Sequence, residues 1–305
     1  MISVHVNGIS KAYGSTKALR DVSLEVAKGE LFGLIGPDGA GKTTLFRILT
    51  TLMLADSGTV SVEGFDVVRD YKQIRRCVGY MPGRFSLYPD LTVEENLSFF
   101  ASVFGTTIRE NYHLVEDIYR QIEPFRKRRA SKLSGGMKQK LALCCALIHK
   151  PSALFLDEPT TGVDPVSRKE FWQMLDRLKE QGITIIVSTP YMDEATLCDR
   201  IALILDGEFL TIDAPDNIVS AFREPLFAVA GVNMSRLIRH LHRMPETKMC
   251  YSFGDVHHLV PNDGIDASTI ANRLKDDGFQ DVECYPIKAS IEDCFMALTS
   301  RRNIV

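Results

Sequence analysis

Hydrophobic and polar positions alternate near the start of the chain in the manner of β-strands. The stretch ISVHVNGI at residues 2–9 alternates in this way, and VSLEVAKGELFGLIG at 22–36 reads as two further strands around a turn at Lys28 and Gly29. The last of these strands ends at Gly36, where a helical pattern begins at once. The pattern predicts an opening set of strands followed by a strand-to-helix junction.

Helical periodicity replaces the strand pattern from about residue 86 to residue 150. It is clearest in TVEENLSFFASVF at 92–104 and MKQKLALCCALI at 137–148. Thr92 and Glu95 stand at the spacing of a capping box, in which each side chain hydrogen-bonds the other residue's backbone N–H. We therefore predict a helical insert between two α/β portions.

Strand character returns after the insert. The apolar strands SALFLDEP (152–159) and ITIIVST (183–189) flank a helical segment at 167–182, and RIALILDGEFLTI (200–212) continues the strands. Apolar strands that alternate with helices of about fifteen residues predict a mostly parallel sheet covered on both faces.

The order of elements changes after Pro225. The remaining segments read as β-α-β-β-α-β plus a last helix, which is the ferredoxin-like order. We predict two domains, at residues 1–222 and 226–305. Histidines occur as His240 with His242 and as the pair 257–258, but no acidic or cysteine partner stands at ligand spacing, so surface or core positions are favoured over a metal site.

Composition adds limits on function. The chain has 305 residues, 45% hydrophobic and 25% charged, which is the profile of a globular protein. A net charge of -3 argues against a nucleic-acid partner, and the basic run RKRR at 126–129 is more typical of a solvated loop. Seven cysteines without a C-x-x-C pair indicate reduced thiols in the cytosol.

No apolar run approaches the roughly 18 residues of a membrane span, and the start MISVHVNGIS lacks the layout of a signal peptide. If a membrane is involved, we expect another chain to cross it.

The stretch GPDGAGKTT at 36–44 fits the phosphate-binding P-loop pattern, between a predicted strand and a predicted helix. Its glycines let the backbone fold tightly, so that N–H groups point at phosphates beside a helix N-terminus. Lys42 is placed for the β and γ phosphates, and the Thr43 hydroxyl for Mg²⁺. The residues that we predict to contact ATP in this loop are Gly36, Asp38, Gly39, Ala40, Gly41, Lys42, Thr43 and Thr44.

The apolar strand ALFLDEP ends in two carboxylates. Asp157 is placed to reach the Mg²⁺ shell, and Glu158 to orient or deprotonate a water that attacks the γ phosphate. We predict Glu158 and Lys42 as catalytic residues, and Thr43 with Asp157 as the metal ligands.

Three further motifs carry a family resemblance. LSGGMKQK at 133–140 resembles the signature sequence of ATP-binding cassette (ABC) ATPases, TTGVDP at 160–165 resembles their D-loop, and Tyr13 matches the aromatic residue that stacks on adenine. The resemblance covers roughly residues 2–220. It is nearest to exporter cassettes whose membrane subunit is a separate chain, and GPDGAGKTT with a non-histidine switch resembles the amino-terminal cassette of YbhF-type multidrug exporter ATPases.

The resemblance implies a P-loop NTPase ABC cassette with a mostly parallel core, an antiparallel β part and a helical subdomain. It also implies function: the ATP-binding, ATP-hydrolysing subunit of an exporter, on the cytoplasmic face of the inner or plasma membrane. Its partners would be a separate transmembrane permease and a second cassette. In such a pair the signature residues Ser134, Gly135 and Gly136 complete the partner's ATP site.

Two positions depart from the family pattern. Gly83 stands where the family has a glutamine that touches Mg²⁺ and water, and Pro190 replaces the switch histidine that hydrogen-bonds the γ phosphate. Neither has a side-chain donor, so we predict a site that binds ATP but hydrolyses it slowly, and we favour a heterodimer. The alternative is a slow homodimer, or compensation by Tyr191. Glu158 is retained, and Asp38 replaces a neutral residue near the phosphates.

Two other classes of function stay open at this stage. One is a soluble ABC ATPase that acts on ribosomes or DNA, although such proteins usually carry a second cassette, a coiled coil or zinc-binding cysteines. The other is a regulatory ATP-binding module. Transported substrate and direction are not encoded in any motif that we identify.

Overall fold

The computed structural model describes residues 1–84 and 86–302, and of Arg301 only the backbone. The chain divides into two compact units, Met1–Asp216 and a second that begins at Asn217. The domain limits predicted from the sequence, 1–222 and 226–305, stay a prediction.

The first unit contains an antiparallel sheet and a mostly parallel one. Its strands are β1 (Ile2–Tyr13), β2 (Thr16–Ala27), β3 (Leu31–Ile35), β4 (Ser57–Val62), β5 (Phe65–Asp66), β6 (Val78–Met81), β7 (Ala153–Asp157), β8 (Thr184–Thr189), β9 (Arg200–Leu205) and β10 (Glu208–Asp213). The antiparallel sheet has the order β2-β1-β4-β5. The predicted turn between β2 and β3 is confirmed.

The second sheet has the order β10-β9-β3-β8-β7-β6, in which only β10 runs antiparallel to its neighbour. Strands β3, β7 and β8 are buried along their whole length, as expected of a parallel sheet with both faces covered. The prediction of a mostly parallel core is confirmed. The carboxyl ends of β3, β7 and β8 lie side by side, and the chemistry predicted from the sequence gathers at this edge.

The helices of the first unit are α1 (Lys42–Leu49), α2 (Tyr71–Cys77), α3 (Val93–Val103), α4 (Ile108–Tyr119), α5 (Gly135–Leu147) and α6 (Pro165–Glu180), and α7 (Pro215–Ser220) follows β10. Helix α1 packs on the parallel sheet, where Phe46 and Phe155 meet edge to face with ring centroids 5.8 Å apart. Helix α6 packs against β3 and β8.

Helices α3, α4 and α5 form the predicted insert. The capping box of α3 is present, because the Thr92 hydroxyl accepts from the Glu95 N–H at 3.2 Å while the Glu95 carboxylate accepts from the Thr92 N–H at 2.7 Å. A second capping box, Thr107 with Glu110, begins α4. Such boxes satisfy N–H groups that a helix start leaves without partners.

The second unit has the predicted ferredoxin-like order. Its elements are β11 (Phe227–Ala230), α8 (Met234–Leu241), β12 (Thr247–Phe253), β13 (Val256–Pro261), α9 (Ala267–Asp276), β14 (Glu283–Pro286) and α10 (Ile291–Arg302). The strands form an antiparallel sheet of order β12-β13-β11-β14. A hydrophobic core of its own, with Leu237, Leu259 and Ile270 buried, belongs to this unit.

The buried carboxylate of Asp293 connects α10 to the sheet of the second unit through hydrogen bonds. Asp293 pairs with His258 Nδ1 at 2.5 Å, accepts from the Ser290 N–H and hydroxyl at 2.6 Å each, and accepts a short hydrogen bond from the Tyr251 hydroxyl. Burial opposes ionisation, but the hydrogen bonds outweigh it and lower the pKa of Asp293 below its ordinary value. His258 is therefore a core histidine with a buried hydrogen-bond partner, one of the two positions that the sequence favoured.

Candidate functional site

The loop between β3 and α1 needs glycine at two points. A Cβ at Gly36 would collide with the carbonyl oxygen of Ile204 on β9, and one at Gly41 would collide with that of Ala18. Gly41 also has φ 105°, a backbone conformation that other residues rarely adopt. The loop therefore packs closely against its neighbours and leads directly into α1. The first N–H groups of a helix are a favourable binding site for an anion.

Lys42, the first residue of α1, is 3% exposed. Its Nζ donates to the carbonyl oxygens of Gly36 at 2.7 Å and Pro37 at 3.0 Å, and it lies 3.3 Å from Glu158 Oε1. Because a buried cation is costly without partners, these contacts fix the ammonium group under the loop. The structure thus brings the two predicted catalytic residues together as an ion pair.

Asp157 is the last residue of β7 and Glu158 follows it directly, so the two carboxylates stand at the strand end as predicted. Asp157 is 2% exposed, and its Oδ1 accepts from Ser188 Oγ at 2.6 Å. The Glu158 N–H donates to the Ser188 carbonyl at 3.0 Å and hydroxyl at 3.1 Å, and Glu158 has φ 50°. A non-glycine residue in this left-handed region is a strained arrangement that its neighbours must hold in place. Ser188 of β8 therefore holds the Asp157 carboxylate and the Glu158 backbone.

The remaining predicted nucleotide contacts surround α1. Tyr13 ends β1 and is 44% exposed, while its hydroxyl donates to Met53 Sδ at 3.0 Å and lies 3.5 Å from Thr44 Oγ1. Thr43 is half-buried in the first turn of α1. In the loop, Ala40 is buried, whereas Asp38 and Gly39 are exposed. The exposed Tyr13 therefore lies close to Thr44, in the first turn of α1 that follows the P-loop.

The signature residues Ser134, Gly135 and Gly136 lie apart from this group. Ser134 caps α5, and its hydroxyl accepts from the Met137 N–H at 3.4 Å. A Cβ at Gly136 would meet the Ser167 side chain at the start of α6, 2.6 Å from Oγ. Within residues 1–84 and 86–302, no hydrogen bond or ion pair joins these three residues to the P-loop.

Gly83 and Pro190 lie beside the carboxylates. A Cβ at Gly83 would be 3.0 Å from the Asp157 carbonyl oxygen and 3.7 Å from Glu158 Cβ. Pro190 directly follows β8 and is half-buried. Tyr191, the candidate for compensation, donates its N–H to Thr189 Oγ1 at 3.1 Å, and its ring lies under the guanidinium carbon of Arg168 at 4.1 Å.

The structure adds a buried cluster that the motifs do not include. Glu194, 2% exposed, accepts from Thr160 Oγ1 at 2.8 Å and from Thr189 Oγ1 at 2.5 Å, and Arg168 Nε lies 3.7 Å from it. The sequence did not predict this cluster because threonine and glutamate occur at many positions that have no functional role. The signal available was a pair of polar residues, Ser188 and Thr189, at the end of an otherwise apolar strand.

Two grooves flank the site. One of about 530 Å³ lies between α6 and the turn Met192–Leu197, and Arg168, Trp172, Glu194 and Leu197 are among its lining residues. Trp172 is 5% exposed, and its indole nitrogen is buried with no hydrogen-bond partner in the described residues. We call this one the switch groove.

The other, the subdomain groove, has about 390 Å³ and lies between the helical insert and the strand β6. Its lining is mainly apolar and includes Leu52, Met81, Leu87, Val103, Phe104 and His149. His149 stacks on Phe104 with ring centroids 3.8 Å apart. Burial lowers the pKa of His149, and the hydrogen-bonding distance of 3.1 Å to the Val78 carbonyl opposes that shift.

In the part of the chain that the structure describes, no helix is both long enough and apolar enough to pass through a membrane. Nor does a group of three or more histidine, cysteine, aspartate or glutamate side chains, among those same residues, form a metal cage. If Thr43 and Asp157 supply two oxygen ligands, as predicted from the sequence, the further ligands would have to come from phosphate and water, which is how Mg²⁺ is usually bound with nucleotides.

Comparison with known proteins agrees with this geometry. The family model described as ABC transporter matches residues 19–161. The chain is 41% identical over 220 residues to the probable multidrug ABC transporter ATP-binding protein YbhF of Escherichia coli (strain K12). The aligned region covers 70% of this chain and 38% of YbhF. The chain thus spans well under half of the length of that relative.

Other relatives match along nearly their whole length. The Nod factor export ATP-binding protein I of Paraburkholderia xenovorans (strain LB400) is 34% identical over 98% of this chain and 97% of its own. The daunorubicin resistance ATP-binding protein DrrA2 of Streptomyces coeruleorubidus is 33% identical over 98% of this chain.

Solved structures show the same fold. An ATP-binding subunit of an ABC transporter superposes with a TM-score of 0.65 at 29% identity, over 72% of this chain and 92% of the other. The dimeric post-hydrolysis state of the ATP-binding cassette MJ0796, bound to ADP and Pi, superposes with a TM-score of 0.63 at 27% identity, over 69% of this chain and 98% of the other. The chain belongs to the ATP-binding cassette (ABC) transporter family.

Proposed function

We propose that this chain is the ATP-binding subunit of an exporter, that it works on the cytoplasmic face of a membrane, and that it pairs with a second cassette and a separate permease. The observation that supports this most is the ion pair of the buried Lys42 with the half-buried Glu158 beneath a P-loop, next to Asp157. Relatives named for multidrug transport, Nod factor export and daunorubicin resistance support the exporter class.

The residues present fit Mg-ATP. The Lys42 ammonium is held under the loop by two carbonyls and by Glu158, so its charge lies next to the loop, and contacts of its three N–H donors would be exchanged for the β and γ phosphates. Asp157 is oriented by Ser188, and the Thr43 hydroxyl lies in the adjacent first turn of α1. Mg²⁺ bound there would neutralise charge that develops on the phosphates. Tyr13 offers its exposed ring to adenine.

We further propose that hydrolysis at this chain's own site is slow. Gly83 and Pro190 bring no side-chain donor to the γ phosphate, and removal of one such donor typically costs about 10²- to 10³-fold in rate. Ser134, Gly135 and Gly136 lie away from the P-loop, which supports their use in the partner's site. A heterodimer with a more active cassette is therefore favoured over a homodimer.

The subdomain groove is the surface that we propose for the permease. It is concave and mainly apolar, and Leu52, Val103 and Phe104 expose part of their side chains around it. Patches of this kind on a protein surface are typical of protein-protein contact sites. Met81, which also lines this groove, is two residues from Gly83, so a bound segment would lie close to the γ-phosphate side of the site.

We also keep 1–222 and 226–305 as the proposed domains.

Steady-state Mg-ATP hydrolysis by the purified chain tests the proposal, with Glu158→Gln as the background. We expect the unmodified chain to bind ATP yet to exceed Glu158→Gln by less than about tenfold, since two donors are missing. Robust turnover that Glu158→Gln abolishes would show that the missing donors do not matter and would favour a working homodimer.

The double variant Gly83→Gln, Pro190→His is the gain-of-function arm, with Gly83→Gln and Pro190→His alone as its controls. A Cβ at residue 83 would stand 3.0 Å from the Asp157 carbonyl, which is tighter than ordinary van der Waals contact. We therefore expect Pro190→His to restore more activity than Gly83→Gln, because the glutamine must first displace the strand end that carries Asp157.

A further inference from the structure

We propose that Glu194 is a positioning residue that links the nucleotide-binding loop to the D-loop. Its two carboxylate oxygens receive one hydrogen bond each, from Thr189 at the end of β8 and from Thr160 at the start of the D-loop. Thr160 and Thr189 are themselves 1% and 0% exposed. A single buried side chain thus bridges two segments that border the γ-phosphate side of the site.

The bridge continues to the P-loop through the backbone. The Gly36 N–H donates to the Thr189 carbonyl at 3.2 Å, so Thr189 is bonded to the P-loop through its main chain and to Glu194 through its side chain. Thr160 lies two residues after Glu158, whose N–H is held by Ser188. The contacts therefore form a closed ring from Thr189 through Glu194, Thr160 and Glu158 to Ser188 of β8, and the P-loop is attached to this ring at Thr189.

No single contact of this ring of hydrogen bonds can break without a cost in free energy, so its members should move together. A carboxylate removed from water needs its acceptor sites filled, and loss of either hydroxyl would leave an unsatisfied buried oxygen. Arg168 adds charge at 3.7 Å, which is an ion-pair distance rather than a hydrogen bond, and its guanidinium covers the Tyr191 ring. Displacement of the P-loop or of Thr189 on nucleotide binding should therefore reach Thr160 as well.

This role fits the replacement at residue 190. Pro190 offers the γ phosphate no donor, so the segment after β8 cannot be held by the nucleotide through that side chain. The segment after β8 is held instead by protein contacts, which involve Thr189, Glu194 and Arg168. The proposal rests on the proposed binding of Mg-ATP at the P-loop, because the nucleotide is what would move the ring.

A contiguous set of contacts is not itself proof of coupling, so the test must measure transmission. We would follow hydrogen exchange of the full chain with and without the magnesium complex of AMP-PNP, a non-hydrolysable ATP analogue. The reporters are the D-loop amides of Thr161 and Val163, which donate to the Glu158 and Thr160 carbonyls at 3.2 Å each. The P-loop amides report binding itself.

We expect the analogue to slow exchange at the P-loop and at the D-loop amides of the unmodified chain. In Thr160→Val and in Thr189→Val the P-loop protection should remain, while the nucleotide-dependent D-loop protection falls by about fivefold or more, in the range typical of coupled sites. The double variant should lose no more than either single variant, because both hydroxyls act through the same carboxylate.

Thr184→Val is the matched control. Thr184 is a buried threonine at the opposite end of β8, 1% exposed, whose hydroxyl accepts from the Gly29 N–H at 3.1 Å, away from the ring. It should lower the melting temperature as the other valine variants do and leave D-loop protection intact. Thr160→Ser and Thr189→Ser keep the hydroxyls and should retain the response.

The outcomes separate the two proposals. Equal nucleotide-dependent D-loop protection in all variants, its loss in Thr184→Val, or its absence from the unmodified chain would each overturn the role of Glu194. Absence of protection at the P-loop itself would instead show that the nucleotide does not bind, and the proposed function would fail together with this inference.

Discussion

At the scale of single residues, the site is organised around one cation. Lys42 is buried, bonded to two loop carbonyls and paired with Glu158. Asp38 is exposed on the outer side of the same loop. The charge that should attract phosphate is therefore fixed in place, while the charge that should repel it is surrounded by water, where interactions are weaker.

This contrast leads to a prediction on affinity. We expect Lys42→Met to weaken Mg-ATP binding by about 10- to 100-fold, the usual worth of a hydrogen bond to a charged group. Asp38→Asn should strengthen binding, by about fivefold or less because the carboxylate is exposed. Calorimetric titration of the three proteins under identical salt measures both effects. Tighter binding in Lys42→Met would contradict the assignment of that residue.

At the scale of secondary-structure elements, helix starts carry two kinds of role. Thr107 caps α4 with a capping box, and Ser134 caps α5 with a hydrogen bond to the Met137 N–H. Both satisfy backbone donors that the helix leaves free. Of the two, the start of α5 also carries the signature glycines, of which Gly136 packs against Ser167 at the start of α6.

We therefore expect Ser134→Ala and Thr107→Ala to cost about 1 kcal/mol of stability each, a fall in melting temperature of about 2–4 °C for a unit of this size. Only Ser134→Ala should also weaken ATP-dependent pairing of cassettes, because its hydroxyl would contact the partner's nucleotide. Sedimentation with and without Mg-ATP distinguishes the two. Equal loss of pairing in Thr107→Ala would reduce the effect to stability alone.

At the scale of the whole molecule, the second unit is stabilised by contacts of its own. The second unit contains its own core and the Asp293 network, which joins β12 and β13 to the start of α10. None of these contacts involves the nucleotide residues. Stability of the second unit and ATP binding should therefore be separable.

Asp293→Asn tests this separation. We expect a loss of about 1–3 kcal/mol in the stability of the second unit, since hydrogen bonds to a buried charge are replaced by weaker ones. ATP affinity should stay unchanged. Asp277→Asn is the control, because it removes the more exposed pair with His240 and should cost less than about 1 kcal/mol. Calorimetric unfolding resolves the two units.

The sequence predicted those features that depend on local periodicity or on contiguous motifs. Strand alternation, the α3 capping box and the P-loop each lie within a few neighbouring residues, so their geometry follows from short-range rules. The ring through Thr160, Thr189 and Glu194 joins distant segments, and its partners depend on the register of β7 and β8. The crowding at Gly83 likewise requires the position of the Asp157 carbonyl in space.

One further consequence follows from the switch groove. The sequence contains a single tryptophan, and Trp172 lies in the wall of that groove beside Glu194, with its indole buried. All tryptophan fluorescence of the native chain therefore comes from Trp172, which lines the same groove as Glu194. Fluorescence can thus follow nucleotide-driven rearrangement of this region in real time, without a label and without any change to the sequence.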